Sequence, residues 1–350
     1  MDFSKIRNYL FLGLLLLVTI VFIYTIRPFA YPIFWAAVLA TLFYPFYQRL
    51  ERVVRHPNIS ASIILIFVTI IILLPLTILG TLFVKESLGV YEALNDNQGQ
   101  ISASIQQITG LLHNNPYLPT FKINDAVITE KITEFGRIVV SSIFNVAKNL
   151  TQNSLEFIAF FIITLYTLFF FVRDGEKILK KLMYLSPLGD RYETMLYAKF
   201  TATTSATIKG VLLISVVQGS LGGALFAITG IHSALIWGIL MAALSVIPVT
   251  GAFLVWLPAG VITLLTGHVW QGIVILVVGV LIISTIDNLL RPVLVGKNLR
   301  IHPLLILFST LGGLVLFGIS GFVIGPIVAS LFLSFWEMYE EYYRQELSRN

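Results

Sequence analysis

Residues 210–230 read GVLLISVVQGSLGGALFAITG, and they open the stretch of sequence that decides the fold. No Asp, Glu, Lys or Arg occurs between Lys209 and Asp287. At the overall frequency of charged residues in this chain, a stretch of that length should carry about nine. Because a charged side chain is costly to place in the hydrocarbon of a bilayer, such a stretch is typical of membrane-spanning helices.

The rest of the chain has the same character. Of its 350 residues 57% are apolar and 12% are charged, whereas soluble domains average about 45–50% apolar and about 25% charged. Further charge-free runs cover residues 8–26, 28–48, 56–84, 157–172 and 301–336. A spanning helix needs about 20 apolar residues. The runs are continuous rather than alternating, which excludes an outer-membrane barrel. We therefore predict an all-α polytopic membrane protein with about eight transmembrane helices.

The positions of the basic residues predict the topology and the domain organisation. Arg49, Arg52 and Arg55 follow the second run, and another basic loop follows the run at 157–172. Basic loops stay in the cytoplasm, so we expect a multi-pass protein of the bacterial inner membrane with a cytoplasmic N-terminus. The predicted divisions are spans 1–3 at 1–84, an extracytoplasmic helical insert at 85–153, span 4 with its basic cytoplasmic loop at 154–200, a transport core at 201–336 and a cytoplasmic tail at 337–350.

The predicted core contains an internal repeat. Residues 231–259 align with 301–329 at seven identical positions. Each copy has an apolar half, a Pro/Gly break and a second apolar half. Paired broken segments in two repeats point to a transport site. We predict two helical hairpins, 231–266 and 301–336, which would resemble the core of an elevator-type transporter. Two ordinary spans per copy, with glycines that permit close packing, are the alternative. The predicted hairpin and hinge residues are Pro248, Gly251, Pro258, Pro292, Gly318, Gly321, Gly325 and Pro326.

Six polar residues of the core are the candidate substrate or ion ligands. Asp287 and Arg291 share a helix face, with Asn288 between them, until Pro292 ends the helix. An acid at the edge of the membrane core indicates an ion or proton path; an ion pair that anchors the helix end is the alternative. Gln218 should lie deep and needs a polar partner, either a solute or a neighbouring helix. Thr250 and Ser320 fall at the predicted hairpin tips, where they could bind Na⁺ or a polar substrate.

Several classes of function are excluded or disfavoured. The chain has no cysteine, and it lacks Gly-x-Ser-x-Gly, His-Glu-x-x-His and phosphate-loop motifs. We therefore predict neither an enzyme nor a metal or cofactor site, apart from coupling to Na⁺ or H⁺. The net charge of +5 comes from basic residues in short loops, so nucleic acid is not expected as a partner.

The C-terminal motifs resemble one family, the autoinducer-2 exporters or PerM-like permeases. These motifs are SVIPVTG at 245–251, DNLLRP at 287–292, Gly296-Lys297, His302-Pro303, Gly312-Gly313 and FGISGFVIGP at 317–326. The resemblance implies a permease that exports a small polar molecule such as the quorum-sensing signal autoinducer-2. It also implies homo-oligomers, with pentamers among them. Other members resemble Na⁺(Li⁺)/H⁺ antiporters, in which Asp287 would carry the cation or proton by antiport.

Overall fold

A computed structural model describes residues 3–96, 134, 154–247, 251–286 and 301–347. Within these ranges the chain forms helices joined by short turns and contains no β-strand. The helices are α1 Phe3–Ile26, α2 Ala30–Val54, α3 Pro57–Asp96, α4 Ser154–Leu185, α5 Asp190–Ile228, α6 Ala234–Leu244, α7 Phe253–Leu265, α8 Val269–Val278, α9 Pro303–Phe317, α10 Gly321–Tyr342 and α11 Arg344–Leu347. A π-helical turn, Gly279–Ile283, continues α8. The prediction of an all-helical polytopic protein is confirmed.

Six helical segments of the described chain are long and apolar enough to cross a membrane: Arg7–Val54, Pro57–Ile78, Leu155–Leu185, Asp190–Ile228, Val269–Ile286 and Pro303–Tyr342. The first and last of these, with 48 and 40 residues, exceed the length of about 20 that one crossing needs. Each is interrupted by a 3₁₀ turn, at Arg27–Phe29 and at Gly318–Ser320. By contrast α6 and α7, at about 16 and 20 Å, are shorter than the roughly 30 Å hydrocarbon core.

The chain divides into two compact units, and the first contains Met1–Thr69 and Asn153–Pro187. In it α2 packs against α4, and the Tyr44 hydroxyl donates a hydrogen bond to the Glu176 carboxylate at 3.3 Å. Arg173 on α4 donates to the side-chain oxygen of Asn58 on α3 at 3.0 Å. Its guanidinium also lies 4.9 Å from the centre of the Phe170 ring. These contacts lie in the second half of α4, just beyond the apolar stretch 157–172.

The second unit contains Ile70–Gln152 and Leu188–Asn350, and its helices pair through glycines. Gly219 and Gly223 of α5 lie against Gly238 of α6, where an added Cβ would sit 2.9 Å from the Gly219 carbonyl oxygen. On the next pair, an added Cβ at Gly260 of α7 would lie 2.7 Å from the Leu276 side chain of α8. Small residues allow membrane helices to approach this closely. The α5–α6 and α7–α8 pairs are antiparallel and share one apolar core.

The second repeat copy folds into a closed hairpin. The His302 side chain accepts a hydrogen bond from the Leu304 backbone N–H and caps α9. Gly318 ends α9 with φ +59° and ψ −145°, a conformation open only to glycine. From there α10 returns along α9, with Gly313 against both Gly321 and Gly325. The predicted break at 318–321 is therefore the turn of this hairpin.

The first repeat copy has the same helix–break–helix order but a different packing. Its halves, α6 and α7, make their main contacts with the outer neighbours α5 and α8 rather than with each other. Gly251 is buried in the break, where an added Cβ would run into the backbone of Leu244 and Ile247. Pro258 and Pro326 lie inside α7 and α10 and are buried. Pro248 and Pro292 lie outside the described residues.

Several helices extend across the domain boundaries predicted from the sequence. Helix α3 continues to Asp96, beyond the boundary at 84/85. Helix α5 begins at Asp190, so the boundary at 200/201 falls inside it. Helix α10 likewise contains the boundary at 336/337. The ends of these helices are polar and lie outside the apolar runs. The sequence pattern therefore indicates only the apolar part of each helix.

Candidate solute site on the buried face of α5

Helix α5 carries a polar stripe that faces the interior of the second unit. All members of the stripe are less than 9% exposed, and they are Glu193, Thr203, Thr204, Thr207, Ser215 and Gln218. At 100° per residue they fall within an arc of about 120°, and they extend over about 37 Å of helix. The opposite face is apolar and outward, with Leu212 and Leu213 53% and 52% exposed. Polar residues of membrane helices face the bundle interior, where they bond neighbouring helices or line a pathway.

Gln218 lies at the deep end of this stripe, 2% exposed. Its side-chain Nε2 donates a hydrogen bond of 3.0 Å to the Ile283 carbonyl oxygen. Ile283 closes the π-helical turn of α8, and such turns interrupt the regular hydrogen-bond ladder of a helix, often at functional sites. The polar partner of Gln218 in the structure is therefore a neighbouring helix. The amide links α5 to the turn that continues α8.

Three more polar groups lie around the break of the first copy. Gly219 contacts Gly238 and Ala242, so one further turn of the antiparallel pair brings Ser215 level with Ser245. Both hydroxyls are buried and have no hydrogen-bond partner in the described part of the chain. The same holds for the indole N–H of Trp256, whose ring packs on Gly279 of the π-helical turn. We call Ser215, Gln218, Ser245 and Trp256 the break site.

The chemistry of the break site is neutral. A hydroxyl can donate and accept, an indole N–H can only donate, and an amide oxygen can accept. An unpaired buried polar group of this kind carries a desolvation penalty of about 1–3 kcal/mol unless a partner is supplied. Three such groups around one helix break can therefore be satisfied by water or by a small polar solute.

The structure describes two of the six predicted ligand residues. Gln218 lies against the π-helical turn Gly279–Ile283, and Ser320 lies half-buried at the end of the second hairpin turn. Asp287, Asn288, Arg291 and Thr250 lie outside the described residues. In the ranges that are described, no group of three His, Asp or Glu side chains could hold a metal ion.

Sequence reasoning missed Ser215, Ser245 and Trp256. A usable signal exists in α5, because Thr204, Thr207, Ser215 and Gln218 recur at helical spacings within an otherwise apolar helix. Ser245 is related to Ser215 only by the antiparallel packing of α6 on α5. Trp256 is related to Gln218 only through the π-helical turn that both side chains contact. No spacing in the sequence relates residues 30 to 40 positions apart across two turns.

Comparison with known proteins identifies the family. The model of the AI-2E family transporters matches residues 12–341, and the chain belongs to this family.

Relatives in distant organisms are similar over nearly their whole length. A protein of Aquifex aeolicus is 27% identical over 88% of this chain and 89% of its own. A protein of Helicobacter pylori is 26% identical over 92% and 93% of the two chains. YueF of Bacillus subtilis is 26% identical over 94% and 90%. Their names assign them provisionally to transport and state no substrate. The protein is accordingly a multi-pass membrane transporter, and the family and these names point to transport rather than to an enzyme activity.

Proposed function

We propose that this protein is a secondary transporter that exports a small polar molecule, similar to autoinducer-2, across the inner membrane. The observation that carries the proposal is the break site. Ser215, Ser245 and Trp256 offer buried polar groups that lack partners among the described residues, beside a helix break in an apolar core. Broken helices inside a membrane are tolerated where they line a cavity or are buried in protein. A polar solute would supply the missing hydrogen bonds.

The driving force in this proposal is an ion gradient, since the sequence has no phosphate-binding loop. Coupling to Na⁺ or H⁺ would then drive the efflux. The N-terminus lies in the cytoplasm on this proposal, as the basic loop at Arg49–Arg55 favours. An elevator-type movement of the helices that form the break site, within a homo-oligomer, completes the proposed mechanism. The paired broken helices of the two repeat copies support it.

A Na⁺(Li⁺)/H⁺ antiporter is the second candidate function. The sequence favours it through Asp287, the single acid between Glu193 and Glu337. On this candidate function the carboxylate of Asp287 binds the cation and the proton in alternation.

Flux through purified protein in liposomes separates the two functions. For export, we expect liposomes loaded with labelled autoinducer-2 to release it faster than protein-free liposomes. For antiport, addition of Na⁺ or Li⁺ would collapse an imposed pH gradient, and Asp287→Asn would abolish the collapse. Release of autoinducer-2 that does not differ from protein-free liposomes would refute the export proposal. Collapse of the gradient that depends on Asp287 would then establish the antiporter.

A further inference from the structure

A second group of unpaired hydroxyls lies between α5 and α10. It consists of Thr203, Thr204 and Thr207 on α5 and Ser330 on α10, and we call it the hydroxyl cluster. Each of the four residues is at most 1% exposed. Within the described residues, none of the four side-chain oxygens has a hydrogen-bond partner.

The threonines of the cluster differ from other helical threonines of the described chain. A helical threonine ordinarily donates to the carbonyl four residues earlier. Thr41 does so to Ala37 at 2.9 Å, and Thr310 does so to Ile306 at 2.7 Å. Since the cluster threonines make no such bond, their hydroxyls are turned away from the carbonyls of their own helix. Burial of a hydroxyl without a partner costs about 1–3 kcal/mol, so a ligand that bonded these hydroxyls would recover that cost.

Two ion pairs show the register of the helices that form the cluster. Lys199 pairs with Glu337 at 3.2 Å, and Arg191 pairs with Glu341 at 2.7 Å. The helices are therefore antiparallel, and the same register places Ser330 opposite Thr203 and Thr204. Thr207 follows one turn farther along α5. From there about 12 Å of helix separates it from Ser215 of the break site.

We propose that the hydroxyl cluster is a second binding site for the transported solute, and that this solute is neutral and carries several hydroxyl groups. The inference rests on the proposed export function and adds a site to it. A solute hydroxyl can either donate to or accept from a protein hydroxyl, so a solute with several hydroxyls can pair with all four. The solute would occupy the break site and the hydroxyl cluster in turn as it moves along the buried face of α5.

A bare cation fits the cluster less well. It would use only the oxygen lone pairs and leave four O–H donors unpaired. The cluster itself supplies no carboxylate to offset the loss of hydration of an ion. Glu193, on the same face of α5, lies about 15 Å along the helix from Thr203. Glu337 is nearer, but it is already paired with Lys199.

Cysteine reactivity tests whether solute can reach the cluster. Because the chain has no cysteine of its own, each single substitution introduces the one thiol that can react. The variants are Thr207→Cys and Ser330→Cys in the full chain, in membrane vesicles of both orientations. The controls are Leu168→Cys, buried in the first unit, and Leu212→Cys, on the outward face of α5. We expect a charged, water-soluble thiosulfonate to react with the two cluster cysteines at least tenfold faster than with the controls. Reaction rates equal to those of the controls would show a dry interface and overturn the proposal.

Protection of the same cysteines identifies the occupant. The neutral probes are autoinducer-2 and glycerol, and the cation probes are NaCl and LiCl, with choline chloride at equal ionic strength. We expect at least one neutral probe to slow the reaction about fivefold and the salts to have no effect. Protection by Na⁺ or Li⁺ alone would make this a cation site and overturn the proposal. Protection by no probe would leave a path for water only and would also overturn it.

The two proposals can fail separately. Export of autoinducer-2 without protection of the cluster by any probe would leave the function standing and remove the second site. Protection by glycerol without export of autoinducer-2 would retain the site and remove the proposed substrate.

A stability comparison adds a control for a purely structural role. Thr207→Val should unfold at the same temperature as the wild type or higher, because it removes an unpaired hydroxyl without a change of shape. Thr310→Val should lower the unfolding temperature, because that hydroxyl is bonded. A lowered unfolding temperature for Thr207→Val would show that this hydroxyl is satisfied within the protein and would contradict the proposal.

Discussion

Two adjacent glycines of α9 should respond in opposite ways to the same substitution. Gly313 faces α10, where an added Cβ would collide with the Gly321 carbonyl and lie 3.1 Å from the Gly325 Cα. Gly312, its neighbour, has nothing within 4 Å of the same atom. Since both glycines lie within the same helix, the gain in helix propensity from Gly→Ala is equal at the two positions, at about 0.5–1 kcal/mol.

The packing cost decides whether Gly313→Ala raises or lowers the stability of the protein. The atoms that a new Cβ would meet are backbone atoms, which cannot rotate away as a side chain can. The hairpin must therefore open by roughly 1 Å, and overpacking of this kind costs about 1–3 kcal/mol. After the propensity gain is subtracted, we expect Gly313→Ala to lose about 0.5–2 kcal/mol. Gly312→Ala should be neutral or gain up to about 1 kcal/mol.

Thermal unfolding of the two variants in the same detergent measures this difference. Loss of the monodisperse chromatographic peak after heating gives a midpoint temperature for each. We expect the midpoint of Gly313→Ala to fall several degrees below that of Gly312→Ala. Equal midpoints, or a higher midpoint for Gly313→Ala, would refute the tight α9–α10 hairpin.

Three further predictions concern polar contacts. Gln218→Leu leaves the Ile283 carbonyl without its side-chain donor and should lower the stability of the second unit by about 1–3 kcal/mol. The measurement is the unfolding midpoint, which should fall. An unchanged midpoint would show that the bond of 3.0 Å contributes nothing to stability. Arg173→Lys keeps the charge but loses the planar guanidinium that bonds Asn58 and stacks on Phe170. It should therefore cost about 1 kcal/mol, whereas Lys177→Arg, an exposed neighbour, should be neutral. Both side chains of the Lys199–Glu337 pair are partly exposed. A double-mutant cycle with alanine at both positions should therefore give a coupling energy below about 1 kcal/mol, and a coupling energy above about 2 kcal/mol would contradict this expectation.

The sequence predicts the fold class well, because the fold class depends on local composition. Charge-free runs identify the membrane helices, and Gly318 is needed for a conformation that other residues avoid. Helix ends are predicted poorly, as α5 shows by its start at Asp190. Its first turns are polar, and nothing in an apolar pattern indicates that they continue the same helix.

The site is predicted only in part, because its members come from different helices. Gln218 could be singled out as a polar residue in an apolar run, but Ser245 and Trp256 become relevant only when α6 and α7 pack on α5 and α8. The π-helical turn at Gly279–Ile283 has no local sequence signal either. Trp256 packs on Gly279 at the start of this turn, which is a tertiary contact.

The most direct test of the central claim is the release of labelled autoinducer-2 by liposomes that contain the double variant Ser215→Ala/Ser245→Ala. The matched control is Ser309→Ala, whose hydroxyl donates to the Ile306 carbonyl of its own helix at 3.1 Å. We predict that the double variant releases the solute at least tenfold more slowly than the wild type while its unfolding midpoint stays the same or rises, since unpaired hydroxyls are removed. Release at the wild-type rate by the folded double variant would contradict a solute path through the break site.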